Sequence, residues 1–404
     1  MDHYVCLVEQ IDAFWETFSS EASSPSSQWL GLLRGRLFRL SKLCNQEAIE
    51  GLGLETEEST DGTKFLYVFS IPGLEGQDLA ELVVSRAPSV FPWQVEVHRP
   101  ARSLQASLRA VREDIGLDMS RATARVGISR GHLLNVVVGS HEFSSSKDER
   151  ALDAATELVR RLVGDAVFDR WVEFVDIAVT RKPSPLRVVG QDASNVPLTL
   201  GAVRDSVANG VQQIEAQLPK QPLHQFCERA EWNLFELEAE FEEQSGTESH
   251  PYHEPLSALE RAEELLPDIS VATTMCPEML KCFLSGAPVA SERFSRFGEV
   301  FAYLQVSLPG ELQERAQSRI LLEDVLNRAL VPGRLGCVVG SGMGARFAYI
   351  FLALEKVEPT ISVIQRRVQT HANTIDAHHA WMRFCDTAKR REWVGIWADT
   401  PPPW

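Results

Sequence analysis

The sequence contains no C-x-x-C pair, and its seven cysteines (Cys6, Cys44, Cys227, Cys276, Cys282, Cys337 and Cys385) are an odd number without framework spacing. This excludes a disulfide-stapled scaffold and predicts reduced thiols in a cytoplasm. No apolar run approaches the ~20 residues that span a bilayer. The opening MDHYVCLVEQIDAF carries Asp2 and Glu9 where a secretory signal needs a basic head and an apolar stretch, so no export is expected. Basic charge is scarce as well, with 40 Lys and Arg against 56 Asp and Glu and a formal net charge of -16. Nonspecific nucleic-acid binding and anionic-membrane binding both rest on Lys and Arg neutralising phosphates, so neither is expected. The composition leaves room for a basic protein partner.

Chemical motifs are missing too. There is no G-x-S-x-G elbow, and the ten histidines form no metal-ligand spacing. His250-Pro-Tyr-His253-Glu254 superficially reverses a zinc-protease motif, but Pro251 and Pro255 oppose the helix that would set two histidines one turn apart. Gly340-Ser-Gly342-Met-Gly344 follows a strand with the spacing G-x-G-x-G, not G-x-G-x-x-G. It is followed by the apolar FAYIFLAL, and Ile364 stands where a dinucleotide site would need an acid. These glycines predict the positive φ angles of a hairpin turn or bulge. Cys276 and Cys282, in TTMCPEMLKCF, read as buried inert thiols. His371, His378 and His379 flank the last strands with no carboxylate or thiol to pair with; an enzyme using His378 or His379 stays open as a third reading. No catalytic residue, cofactor or metal is expected.

With 404 residues and 44% hydrophobic content, the chain is long enough for two or three folded domains. Two helices are predicted around Tyr4 to Phe18 and Trp29 to Leu43. The second places Leu30, Leu33, Leu37 and Leu40 at helical spacing among Arg34, Arg36, Arg39 and Lys42, a pattern read as core packing, not membrane attachment. Strands follow at 63–71 and 93–99, helices at 76–87 and 107–115, a hairpin around Ser129-Arg130-Gly131, a long helix at 147–170 and a strand at 171–179. Residues 183–197, PSPLRVVGQDASNVP, read as a linker. Beyond it come a helix from Ala202 to Leu218, a strand at 299–308, a helix at 310–330, a hairpin at 333–355, a helix at 359–371 and strands at 379–385 and 393–397. Both halves run helix, hairpin, helix, strand. The expected class is α+β: two mixed or antiparallel sheets covered by helices, ferredoxin-like-related units, with domains at 1–182 and 201–404 joined by a linker at 183–200.

Acid is concentrated in one place. Residues 221–270 carry 13 acids against Arg229 and Arg261, a local net of -11. Within them Phe235-Glu-Leu-Glu-Ala-Glu-Phe-Glu-Glu243 puts an acid at every second position. Glu and Ala favour helix, but the period is that of a strand, and it sorts Glu236, Glu238, Glu240 and Glu242 to one face and Phe235, Leu237, Ala239 and Phe241 to the other. Same-face neighbours on a strand stand about 6.8 Å apart, too wide for one cation whose oxygens must lie near ~2.4 Å. A solvated or anti-aggregation edge is one reading. The functional one is a carboxylate ladder, Glu236, Glu238, Glu240, Glu242 and Glu243, that meets Lys and Arg of a basic partner.

The segments IDAFWETF, LAELVVSRAPSVFPWQVEVHRP and LVRRLVGDAVFDRWVEFVDI lie within residues 10–180, with GSGMGARFAYIFLAL and WMRFCD…EWVGIW near the C-terminus. In these segments the sequence resembles a family of bacterial domains of unknown function whose members and relatives occur among immunity-like proteins. The matched motifs, Trp93 and Ala87-Pro88 among them, are core and turn positions, and no catalytic residues come with the resemblance. It implies a cytoplasmic, non-enzymatic protein that neutralises a basic toxin, such as a nuclease, through its acidic surface. The alternative is a regulatory or scaffold subunit of a multi-protein bacterial defence system, docking through the stiff tail Asp399-Thr-Pro-Pro-Pro-Trp404.

Overall fold

The computed structural model describes residues 2–22, 27–44, 51–58, 62–71, 76–129, 131–141, 143–145, 148–179, 198–236, 268–375, 379–390 and 392–403. The α+β expectation holds, and the described chain divides into two compact units: residues 1–129 with 133–211, and residues 130–132 with 212–404. No described helix is long and apolar enough to cross a membrane.

The first unit begins with helices α1 (Asp2–Glu21) and α2 (Ser27–Cys44). Leu33, Leu37 and Leu40 of α2 are buried, so the leucine stripe faces a core as its spacing requires. Phe14, Trp15, Phe18, Trp29 and Trp93 meet ring to ring with centroids 4.7 to 5.5 Å apart. The polar tips of two of these rings are satisfied, because Trp15 Nε1 donates to the Val83 carbonyl at 2.8 Å and Trp93 Nε1 to that of Ala22 at 2.9 Å. Trp93 is thus half-buried and packs against this core.

Around this core run β1 (Gly51–Glu58), β2 (Lys64–Ile71), α3 (Gln77–Ser85), β3 (Trp93–Glu96), α4 (Leu104–Asp114), β4 (Thr123–Ile128), β5 (Leu134–Ser140), α5 (Glu149–Val163), α6 (Asp165–Trp171), β6 (Val172–Val179), β7 (Leu198–Thr199) and α7 (Val203–Gln217). The unit carries two sheets where one was expected, ordered β1-β2-β3 and β6-β5-β4-β7. The strands that sequence periodicity missed are β1, GLGLETEE, whose glycines and acids depress strand propensity, and the two-residue β7, which pairs with β4 inside the stretch read as a linker. Both sheets repeat one motif: an antiparallel pair followed by a helical crossover to a parallel neighbour, β1-β2-β3 and β4-β5-β6. The single helix expected at 147–170 is two, because Gly164 takes φ +88° between α5 and α6 and its Cα lies against the Arg99–Ala101 backbone.

That turn anchors an ionic network. Asp165, 1% exposed, accepts from Arg99 Nε and Nη2 at 2.9 and 3.0 Å and from the Arg99 backbone N–H at 3.0 Å. Arg99 also reaches Glu55 and Glu157 at 3.0 Å, Arg102 bridges Glu55 and Glu57, and Arg161 reaches Glu157, Glu55 and Asp114. The network links β1 to α4, α5 and α6. Burial works to raise the Asp165 pKa, but the hydrogen bonds and charge of Arg99 outweigh it and hold the carboxyl below the usual range. For Asp169, burial, reinforced by Asp165, outweighs Arg160 at 2.8 Å and pushes the carboxyl up to about 6.

The second unit contains β8 (Asn233–Glu236), β9 (Ile269–Thr274), α8 (Pro277–Ser285), β10 (Val300–Ser307), α9 (Leu312–Leu330), β11 (Gly336–Gly344), β12 (Ala348–Leu354), α10 (Val357–Ile375), β13 (His379–Phe384) and β14 (Trp393–Gly395). Its sheet has the order β14-β13-β10-β12-β11-β9-β8, and every pairing is antiparallel. Within it, β10-α9-β11-β12-α10-β13 is a βαββαβ chain with spatial order β13-β10-β12-β11, the ferredoxin-like arrangement. Leu304, Val306, Val338, Ile350 and Leu352 pack with Leu322, Leu326, Ile364 and Val368 of the two long helices. On the other face, Phe301, Tyr303 and Phe351 stack with Phe294 and Phe283. Apolar side chains on both faces explain why β11 and β12 are buried at every position.

The opposed shifts of Asp165 and Asp169 predict opposed pH effects. Asp165→Asn lowers the unfolding free energy by roughly 3–5 kcal/mol at neutral pH, and this deficit closes as pH falls from about 4 through the depressed native pKa, where the native carboxyl also loses its charge. Asp169 is protonated more readily folded than unfolded, so it costs the native state increasingly from about pH 4 to above 6; Asp169→Asn removes that dependence. Urea unfolding across pH checks both, and a pH-independent Asp165→Asn deficit contradicts the assignment.

Candidate functional site

The acid-bearing strand begins where the sheet ends. β8 is the last strand in the order and pairs only with β9 among the described residues, with Phe235 opposite Ala272 and Glu236 opposite Val271. Phe235 is buried, under Lys281 Nζ at 5.8 Å from its ring centre, whereas Leu234 is 62% exposed and Trp232 is exposed beside it. Glu236 is the terminal residue of β8. Glu238, Glu240, Glu242 and Glu243 lie outside the described residues, as do His250 and His253.

The glycine motif is strand, not turn. Gly340, Gly342 and Gly344 belong to β11, and none has positive φ. Their role is close approach: a Cβ on Gly340 would stand 3.0 Å from the Thr273 carbonyl, and one on Gly342 3.1 Å from that of Val271. A bulge does occur here, at the register shift between Val338 and Gly340.

The histidines near the C-terminus do not form a site among the described residues. His371 Nδ1 lies 2.9 Å from the Arg367 carbonyl on its own helix, His379 is exposed at the start of β13 against Trp381, and His378 lies outside the described residues. The proline tail is tethered, since Trp381 Nε1 donates to the Pro401 carbonyl at 2.7 Å.

A different histidine sits among acids. Glu299 immediately precedes β10 and Glu355 immediately follows β12. Because Val300 pairs with Leu354 in antiparallel register, the two glutamates flank one rung at the same end of the sheet. His224, in the 3-10 turn Leu223–Gln225, completes the group: its Nδ1 pairs with Glu355 Oε1, and one ligand atom from each of the three residues lies within 4.8 Å of the others. His224 is 8% and Glu299 2% exposed. The Leu223 N–H donates to Glu299 Oε1 at 2.6 Å, and Ser295 Oγ donates to Oε2. Burial raises the Glu299 pKa and Glu355 adds to the shift, against the two hydrogen bonds.

Three thiols border this end of the sheet. The Cys227 thiol is lowered by the hydrogen bond it accepts from Cys337, and Cys337 is raised by that bond and by burial. Cys276, capping the start of α8, is pushed up to about 12 by burial and by the Glu299 carboxylate. Cys276 is half-buried, not fully buried as expected, and its raised pKa gives the inert reading its physical basis. His224, Glu299 and Glu355 escaped the sequence reading because they are far apart in the chain: strand register brings the two glutamates together, and a distant 3-10 turn brings His224 to them. The available signal was a Glu directly before the first strand and another directly after the third strand of a βαββαβ pattern.

Compared with family models, curated proteins and solved structures, the chain matches none. Alkylation tests the thiol chemistry: at pH 8, iodoacetamide should leave Cys276 unmodified in the folded protein and label it after denaturation, as read by peptide mass. Rapid labelling in the folded state would contradict the raised pKa.

Proposed function

We propose that this protein binds another protein, acting as an immunity-like factor that neutralises a basic toxin, such as a nuclease, through the carboxylates of Glu236, Glu238, Glu240, Glu242 and Glu243. The observation that carries this reading is the position of β8. A stretch with local net charge -11 over residues 221–270 includes the outermost strand, among the described residues, of a seven-stranded sheet, with Leu234 of that strand and Trp232 just before it exposed. Exposed apolar side chains beside concentrated like charge make a recognition surface: the charge steers a cationic partner and fixes its register, while the apolar groups supply desolvated contact. A toxin that grips nucleic acid through a Lys- and Arg-lined groove presents the complementary charge.

The test replaces Glu236, Glu238, Glu240 and Glu242 by Lys together and measures binding to a cationic toxin encoded beside the gene, with growth protection as the second readout. Binding should weaken by roughly a hundredfold or more, because several charge pairs of about 1 kcal/mol or above are reversed together. Circular dichroism should be unchanged, and native affinity should fall with added salt. Unaltered binding by the quadruple variant removes the site assignment.

A further inference from the structure

We propose that His224, Glu299 and Glu355 form a binding site for a divalent transition-metal ion, with one imidazole nitrogen and one oxygen from each carboxylate as protein ligands. This goes beyond the protein-binding reading and stands independently of it.

Charge balance is the first argument. Two carboxylates and one imidazole converge at a sheet end where His224 and Glu299 are almost fully buried, and among the described residues neither glutamate has a Lys or Arg partner. With both carboxylates ionised the group keeps one net negative charge even when the imidazole is protonated, a costly state away from water. A divalent cation beside a neutral imidazole removes that excess.

Geometry is the second. Ligand atoms around a tetrahedral ion with bonds near 2.1 Å stand about 3.4 Å apart. The three atoms here lie within 4.8 Å of one another, so small side-chain rotations bring them onto a common centre. They come from the start of one strand, the end of its neighbour and a turn, and the hydrogen-bonded rung Val300–Leu354 holds the two strand ends in place.

The third argument is the surrounding hydrogen bonds. Ligating carboxylates are themselves oriented by donors. Glu299 has such a donor on each oxygen, the Leu223 N–H and Ser295 Oγ, and Leu223 is the residue next to His224. The same turn therefore supplies one ligand and orients another. The mixed nitrogen and oxygen set favours Zn²⁺ or a neighbouring first-row ion over Ca²⁺ and Mg²⁺, which take all-oxygen shells. Three protein ligands leave a coordination position for water or a substrate atom.

The experiment uses the full chain stripped with a chelator and titrated with Zn²⁺ by calorimetry and with Co²⁺ by absorption. One equivalent should bind, Zn²⁺ should raise the melting temperature, and excess Mg²⁺ should not compete. Glu355→Gln and Glu299→Gln, which preserve side-chain shape, should each weaken binding by about a hundredfold or more, beyond the ~10–100-fold cost of losing an outer partner. Cys227→Ser should leave binding in place, and the Co²⁺ spectrum should lack thiolate charge-transfer bands. Failure of the native chain to take up either ion overturns the proposal whether or not the variants fold. So do undiminished affinity in folded Glu355→Gln, a thiolate-dominated Co²⁺ spectrum, and competition by equimolar Mg²⁺.

Discussion

Strand β10 has hydrogen-bonded neighbours on both edges, β12 and β13, and packed side chains on both faces. A strand so enclosed cannot slip in register, since a one-residue shift would exchange the aliphatic face, Ala302, Leu304 and Val306, with the aromatic one, Phe301 and Tyr303. The helices α9 and α10 cover the aliphatic face, and Phe283 of α8 with Phe294 covers the aromatic one, so the exchange would leave voids on one face and clashes on the other. Fixing β10 fixes where its first rung lies, and with it the meeting of Glu299 and Glu355. The polar group at that end of the sheet is thus a consequence of apolar packing elsewhere in the unit.

The first unit solves a different problem. Its two three-strand motifs are each small, and the segment between them carries many charges. The Arg99 network ties β1 to α4, α5 and α6 through arginines that are largely shielded from water, so its value lies less in net stability than in specifying one arrangement: Arg99 placed wrongly would leave the buried Asp165 carboxylate without its main partner. Gly164 makes this possible, because only a residue without a Cβ fits beside the Arg99–Ala101 backbone while starting the helix that presents Asp165.

Much of this was readable from periodicity. The leucine stripe of α2, the hairpins and the βαββαβ order of the second unit all follow from the spacing of apolar residues, because burial on one face or two leaves a direct mark in the chain. What was not readable depended on partners distant in sequence. Glu55 and Glu57 of β1 alternate with other residues as the glutamates after Phe235 do, yet they face Arg99, Arg102 and Arg161, arginines no local pattern connects to them. The glycines of β11 were legible as special but not as close-approach positions, since the backbone that needs the space belongs to β9. His224, Glu299 and Glu355 are the same case, the glutamates made neighbours by strand register and the histidine by a turn far from both in the chain.

The two polar regions of the second unit share a single piece of chain. The segment from Leu223 to Glu236 starts with the turn whose N–H holds Glu299, continues through Cys227, hydrogen-bonded to Cys337 of β11, and becomes the edge strand β8. The strand is four residues long and, among the described residues, pairs on one side, too little to hold a fixed position by its ladder. Its placement therefore rests on the upstream pins as much as on β9. A perturbation that loosens His224 or Cys227 acts on the strand from which the acidic stretch departs, through covalent continuity and without any longer route.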